Sequence, residues 1–107
     1  MVAEIGYFAD NSKNIHFWDP LTADGSTPAI KIAGINFTFC DKITGANITV
    51  VHQGSFDNTD WFDLETHSHA GSGVDRHTYS NTPVLYIRST VSGIGGGESY
   101  TGSVMSD

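Results

Sequence analysis

The sequence is poor in cysteine and in basic residues. It contains one cysteine, Cys40, among 107 residues, which excludes an intrachain disulfide framework. Lysine and arginine total 5 against 12 aspartates and glutamates, and the formal net charge is −7. Because phosphate backbones and anionic lipids are bound by basic surfaces, we expect neither nucleic acid nor a membrane as a partner. The fold must therefore be held by packing, within the chain or against neighbouring subunits.

Long apolar runs are also missing. No stretch approaches the roughly 20 residues that a membrane-spanning helix needs. The first residues, MVAEIGYFADNSK, lack the basic start and the apolar core of a secretion signal. We therefore expect synthesis in the cytoplasm. No stretch has the periodicity of a long helix.

The sequence contains instead many short alternating segments separated by turn residues. The clearest lies at residues 47–64, where Ile48 and Val50 share one face of an extended segment, an acidic turn follows, and Trp61 restarts the apolar signal. We take this hairpin as the centre of the domain. Turn signals about every 8–12 residues predict an all-β fold, an antiparallel β-sandwich or small jelly roll of about eight strands.

The first 21 residues are the least regular part of the chain. Two interpretations stay open for residues 1–21: peripheral strands of the same domain, or an extended N-terminal arm that packs its aromatic side chains on a neighbour. The β-sandwich domain itself is placed at residues 22–107.

Three connections are predicted inside that domain. The apolar residues change parity at Ala33 and Gly34, which predicts a bulge or a tight turn. Residues 41–46 contain Asp, Thr and Gly and are predicted as a turn. Residues 66–73 are predicted as a flexible loop.

Histidines are the first candidates for chemistry. His67 and His69 lie on one side of an extended chain, a common start of a metal site. Only His77 or Asp75 could add a ligand nearby, although three copies of the chain could complete a site on a three-fold axis. The alternative is a solvated loop with two polar residues, so no metal or other cofactor is predicted and His67 and His69 stay weak candidates. His52 falls on the face of Ile48 and is predicted to be a hydrogen-bonded, partly buried histidine or one at a subunit contact.

The acidic turn offers a second candidate site. Its carboxylates suit calcium, but their spacing does not match an EF-hand loop, and turn chemistry alone explains them. The residues are Asp57, Asn58, Asp60 and Asp63. No catalytic set is predicted: the acids are scattered, and no nucleophile elbow or phosphate-binding loop is present. Four aromatic residues could form a sugar-binding face, although core roles are more frequent for them: Trp61, Tyr79, Tyr86 and Tyr100.

Residues 27–105 resemble the small β-sandwich structural proteins of tailed bacteriophages. In those chains a strand ends in Gly-Ser, an Asp-containing turn leads to Trp and Leu, and a Tyr-x-Arg strand later runs into a glycine turn and a final strand. The matching pieces are Gly54-Ser55-Phe56-Asp57, Trp61 with Leu64, the segment 86–93 (YIRSTVSG) and residues 99–105. Two positions depart from the pattern: Asn58 replaces a glycine, and His52 replaces an aliphatic residue.

The resemblance implies a non-enzymatic virion protein, a capsid decoration (cement) protein that stabilises the phage head. The expected partners are the major capsid protein and further copies of this chain, as a dimer or trimer. The alternative is a receptor- or carbohydrate-binding module of a tail or head fibre. Because protein interfaces rely on buried aromatic anchors, the candidate partner contacts are those of residues 1–21: Tyr7, Phe8, Phe17 and Trp18.

Overall fold

The computed structural model of the chain describes residues 14–106, and every regular element in that range is a β-strand. The nine strands are β1 (Asn14–Phe17), β2 (Gly25–Ser26), β3 (Ile30–Lys31), β4 (Phe37–Thr44), β5 (Ile48–Ser55), β6 (Trp61–His69), β7 (Gly73–Tyr79), β8 (Tyr86–Ser92) and β9 (Ser99–Ser106). Within the described range no helix is long and apolar enough to cross a membrane.

The strands form two antiparallel sheets. Sheet one has the order β1-β9-β4-β7, and sheet two has the order β2-β8-β5-β6 with β3 also paired to β8. The predicted β-sandwich is therefore confirmed. The hairpin β5–β6 contributes the middle strand of sheet two, because β5 pairs with both β6 and β8. Strand β6 lies at the edge of sheet two and β7 at the edge of sheet one.

The apolar core consists of two clusters on the facing sides of the sheets. One contains Trp18, Ile32, Phe37, Phe39, Val84, Ile87 and Val104. The other contains Ile43, Ile48, Val50, Val91 and Tyr100. Between them each central strand interrupts its apolar face with a polar residue or glycine, namely Asp41 on β4, His52 on β5, Ser89 on β8 and Gly102 on β9. The core is thus divided by a polar layer.

The change of apolar parity at Ala33 and Gly34 marks a crossing between the sheets. β3 pairs in sheet two, and β4 pairs in sheet one. The bend at residues 33–35 joins them, so the predicted tight turn is confirmed. Residues on either side can therefore alternate with opposite parity and still face the same core.

Two of the predicted connections begin too early: the bends lie at residues 45–47 and 70–71. β4 continues through Asp41 to Thr44, because Asp41 is fully buried and hydrogen-bonded on the same face as Phe39. β6 continues to His69, so most of the predicted loop at 66–73 is paired strand, in register with β5 up to Ile48. In both places a backbone ladder and side-chain partners outweigh the turn propensity of the local sequence.

The described part of the N-terminal segment belongs to the sandwich. β1 pairs with β9 at the edge of sheet one, and Leu21 forms a bridge with Tyr100. Residues 14–17 are therefore a peripheral strand of the sandwich. Residues 1–13 lie outside the described range.

Candidate functional site

The polar layer is a continuous hydrogen-bonded chain inside the core. Asp41 accepts a bond of 2.6 Å from the Tyr100 hydroxyl on one carboxylate oxygen, and its other oxygen lies 2.7 Å from Nε2 of His52. The Tyr100 hydroxyl also lies 2.8 Å from Oγ of Ser89. All four side chains are fully buried. Each of these four buried side chains therefore has a hydrogen-bond partner, which is the condition under which buried polar groups are tolerated.

Glycine at position 102 makes this arrangement possible. Gly102 lies directly opposite Asp41 in the ladder, and a Cβ there would collide with the hydroxyl of Tyr100. The tyrosine ring can therefore fold back along its own strand and reach the carboxylate. Burial, together with the neighbouring Asp41, raises the pKa of Tyr100 far above its usual range.

Tyr79 carries the chain of bonds from the core to the surface. Its hydroxyl lies 2.6 Å from Nδ1 of His52 and donates to Oε1 of Glu65 at 3.0 Å. Burial raises the pKa of Tyr79, so the phenol keeps its proton. A phenol has one proton to donate. When that proton faces Glu65, the Tyr79 oxygen can only accept a hydrogen bond from Nδ1 of His52.

An edge cluster formed by Glu65, His67, His77 and Tyr79 lies where β6 of one sheet faces β7 of the other. Nε2 of His67 is 3.0 Å from Oε1 of Glu65, and the rings of His67 and His77 stack with centroids 3.5 Å apart. One ligand atom from each of Glu65, His67 and His77 lies within 4.8 Å of the other two. These three residues supply the donor types that transition metals use.

Electrostatics favour neutral imidazole at His67. Burial lowers the pKa of His67, and the neighbouring His77 lowers it further. The hydrogen bond from Tyr79 lowers the pKa of Glu65 and keeps it ionised. The site therefore combines an anionic carboxylate with an unprotonated ring, the forms that bind cations.

Two ring nitrogens near this cluster lack hydrogen bonds. Nε2 of His69 and Nε2 of His77 are buried and make no hydrogen bond within the part of the chain that the structure describes. Nε2 of His77 lies 3.2 Å from Asp75, but the pair is not aligned as a hydrogen bond. A buried nitrogen without a partner costs about 1–3 kcal/mol, so these atoms mark places where a further ligand would be favourable.

A β-bulge creates the edge cluster. The register of β5 against β6 shifts between His52 and Gln53, so that Glu65 pairs with His52 while Asp63 pairs with Gln53 and Leu64 is the extra residue. The shift changes which residues of β6 face inward. As a result Glu65 and His67 point toward β7, where His77 also lies.

The structure brings together only part of the predicted metal set. His67 joins His77, which the sequence suggested as a further ligand, but Glu65 was missed. His69 lies outside the group, with Nδ1 3.8 Å from Asp75. His52 was predicted to be hydrogen-bonded and partly buried, and it is hydrogen-bonded but fully buried. A usable signal existed, because Asp41 and His52 each occupy a position of their strand where the alternation predicts an apolar residue.

The acidic turn is explained by its own backbone. Oδ1 of Asp57 accepts bonds from the N–H groups of Asp60 and Thr59, and Oγ of Ser55 accepts from the N–H groups of Asp57 and Asn58. Asn58 has a positive φ of 63°, a conformation that asparagine tolerates. The turn-chemistry interpretation accounts for these contacts without calcium.

Replacing Asp57 with alanine is expected to lower the melting temperature at pH 7 by about 5 °C. The N–H groups of Asp60 and Thr59 lower the pKa of Asp57, so its stabilising effect is present above about pH 4 and is lost as pH falls through the folded-state value. Thermal unfolding of both proteins between pH 7 and pH 2 should show the gap closing in acid. Asp60→Ala, which keeps the backbone N–H, serves as the control, and an equal loss there would contradict this assignment.

The predicted partner contacts fall in different environments. Trp18 is 4% exposed and packs in the first core cluster, with Nε1 donating to the carbonyl of Pro28. It is therefore assigned to the core and not to a partner surface. Phe17 is 75% exposed. Tyr7 and Phe8 lie outside the described residues.

The aromatic residues considered for sugar binding do not form one face. Tyr100 is fully buried, and Tyr79 belongs to the edge cluster. Trp61 is covered by the guanidinium of Arg88, which lies 4.1 Å from the ring centroid. Stacking of a sugar on these three rings would require each of them to leave its present contacts.

Comparison with known proteins identifies a shared fold. No protein-family model matches the chain, and no curated protein matches it significantly. The crystal structure of the SPBc2 prophage-derived protein YomS superposes with a TM-score of 0.61 at 13% sequence identity, over 89% of this chain and 94% of that chain. The two chains therefore have the same β-sandwich fold over almost their entire lengths.

Proposed function

We propose that the chain is a non-enzymatic structural protein of a phage or prophage, and that it acts as a capsid decoration protein. The observation that carries the proposal is the fold shared with a prophage-derived protein, which spans almost all of both chains. A common fold alone permits many functions. The surface of this chain supplies the further support.

An exposed apolar patch on the outer face of sheet one is the proposed contact with the capsid. This β1 patch consists of Ile15, Phe17 and Met105, which are 51%, 75% and 39% exposed. Ile15 lies directly opposite Met105 in the ladder, and Phe17 lies two pairs further along, on the same face. A large exposed aromatic beside two aliphatic side chains is typical of the anchor of a protein interface.

The charge of the chain favours a protein partner. With 12 acidic residues against 5 basic ones, the chain would be repelled by nucleic acid and is kept soluble before assembly. The proposed partners are the major capsid protein and further copies of this chain, and the proposed location is the virion.

The test is to count the protein in purified particles of the phage or induced lysogen that encodes it. Quantitative mass spectrometry against the major capsid protein should find hundreds of copies per particle. A handful of copies would overturn the decoration role and place the chain in a tail or fibre, where receptor or glycan binding is the next function to test. Absence from particles would overturn a virion role altogether.

Variants of the β1 patch test the contact itself. Phe17→Ser is expected to weaken binding to undecorated capsids at least about tenfold, because interface anchors of this kind contribute well over 1 kcal/mol. Val74→Ser is the matched control, since Val74 is 68% exposed on the opposite edge strand of the same sheet. Equal binding by the wild type and Phe17→Ser, or an equal loss in both variants, would contradict the assignment of the patch.

A further inference from the structure

The edge cluster contains more metal-ligating chemistry than its hydrogen bonds use. Nε2 of His77 is buried and makes no hydrogen bond within the described residues, and the His67 and His77 rings lie against each other with centroids 3.5 Å apart. Glu65 adds a carboxylate at hydrogen-bond distance from His67. A cation held among the three residues would resolve both features.

We propose that Glu65, His67 and His77 form a binding site for a divalent transition-metal ion of the Zn²⁺ class. Their ligand atoms all lie within 4.8 Å of one another. Two imidazoles and one carboxylate are a donor set that zinc accepts, whereas calcium and magnesium prefer oxygen ligands alone. The site is complete within one chain and needs no three-fold axis.

The ion would be reachable and would join the two sheets. The side chain of Glu65 is 53% exposed, while that of His67 is 14% exposed, so the site opens to solvent on the carboxylate side. Glu65 and His67 lie on β6 of sheet two, and His77 lies on β7 of sheet one. Metal binding therefore closes this lateral side of the sandwich. Three protein ligands leave a coordination position for water.

Hydrogen bonds to neighbouring side chains hold the proposed ligand Glu65 in place. Tyr79 donates to Glu65 and contacts His52, which is itself bound to Asp41. Such outer partners fix the orientation of metal ligands and commonly change affinity when they are removed. The polar layer of the core thus ends at the proposed site.

Binding requires a local change in the two rings. In the present arrangement the rings of His67 and His77 are only 20° from parallel, so their nitrogen lone pairs do not converge on one point. Rotation of the His67 or His77 side chain is therefore needed before one nitrogen of each ring can point at a shared ion. The ring nitrogen of His67 that binds the ion must be unprotonated, so any proton on it moves to the other ring nitrogen or to solvent.

The test uses the full chain, freed of metal with a chelator. Titration with Zn²⁺ in a calorimeter should show one ion per chain, and Co²⁺ should give the visible absorption bands of a site with nitrogen and oxygen ligands. Excess Zn²⁺ should raise the melting temperature, because the ion binds only the folded state. His67→Gln and His77→Gln should each weaken Zn²⁺ binding by at least about 100-fold, and Tyr79→Phe by about 10–100-fold.

His16→Gln is the control, because His16 is an exposed histidine on β1, remote from the edge cluster. It should leave affinity unchanged. Circular dichroism in chelator checks that each variant is folded, and Zn²⁺-dependent shifts of the His67 and His77 ring signals in the wild type provide a readout that needs no variant. The proposal is overturned if the wild type shows no heat, no spectrum and no stabilisation. It is also overturned if His16→Gln loses as much affinity as His67→Gln, or if the shifts map to other histidines.

Discussion

Replacement of Asp41 with alanine is expected to lower the free energy of unfolding by about 3–5 kcal/mol. The carboxylate is fully buried and holds both Nε2 of His52, at 2.7 Å, and the Tyr100 hydroxyl, at 2.6 Å. Its removal leaves two polar groups in the core without their partner, and also leaves a cavity. Since small domains are stable by only about 5–15 kcal/mol, the variant should be close to unfolding.

Urea denaturation at pH 7 measures this change directly. Asp75→Ala is the control, because Asp75 pairs with Asp41 across the ladder but its side chain is 48% exposed, and the expected loss there is below about 1 kcal/mol. A double-mutant cycle with His52→Ala separates the pair from the cavity, since residues in contact should show a coupling energy. Purely additive losses, or a cost for Asp41→Ala no larger than for Asp75→Ala, would be incompatible with the polar layer as described.

Replacement of Phe39 with alanine is expected to cost about 3–5 kcal/mol as well. Phe39 is fully buried in the first core cluster, and its ring stacks on His52 with centroids 3.9 Å apart. The Phe39 ring is tilted against Trp18, with centroids 6.1 Å apart, and meets Tyr79 edge-on, with centroids 5.8 Å apart. The truncation therefore removes apolar contact area and also the ring against which His52 stacks.

The matched control is Phe56→Ala. Phe56 is 59% exposed in the turn after β5, and its loss should cost less than about 1 kcal/mol. Chemical denaturation gives both values under the same conditions. Because the His52 ring stacks on Phe39, Phe39→Ala should also change the NMR signals of the His52 ring in the folded state. An unchanged ring signal together with a small loss of stability would contradict the packing described here.

Much of the fold follows from local pattern. The alternation of Ile48 and Val50 predicted β5, which runs from Ile48 to Ser55. Such patterns are readable because a strand with one buried face must alternate. The parity change at Gly34 was likewise readable as a turn, and it became the crossing between the sheets.

The candidate site was readable only in part. Asp41 looked like a turn residue, since aspartate favours turns when nothing pairs with it. Its partners His52 and Tyr100 come from two other strands, and Ser89 joins through Tyr100 from a third. No local rule reports contacts between residues so far apart in sequence. The alternation around His52 indicated that this polar side chain is buried, but it did not indicate which residues are its hydrogen-bond partners.

The sequence by itself determined the all-β architecture, the central hairpin and the turn chemistry of Asp57, because each depends on neighbours within a few residues. Only the tertiary structure decided the polar layer and the edge cluster. Glu65 and His67 reach His77 because a bulge at Leu64 turns β6 inward and because β7 pairs into the opposite sheet. The register of a strand, and the sheet that it joins, are set by the packing of the entire core. The spacing of residues along the chain therefore could not reveal this site.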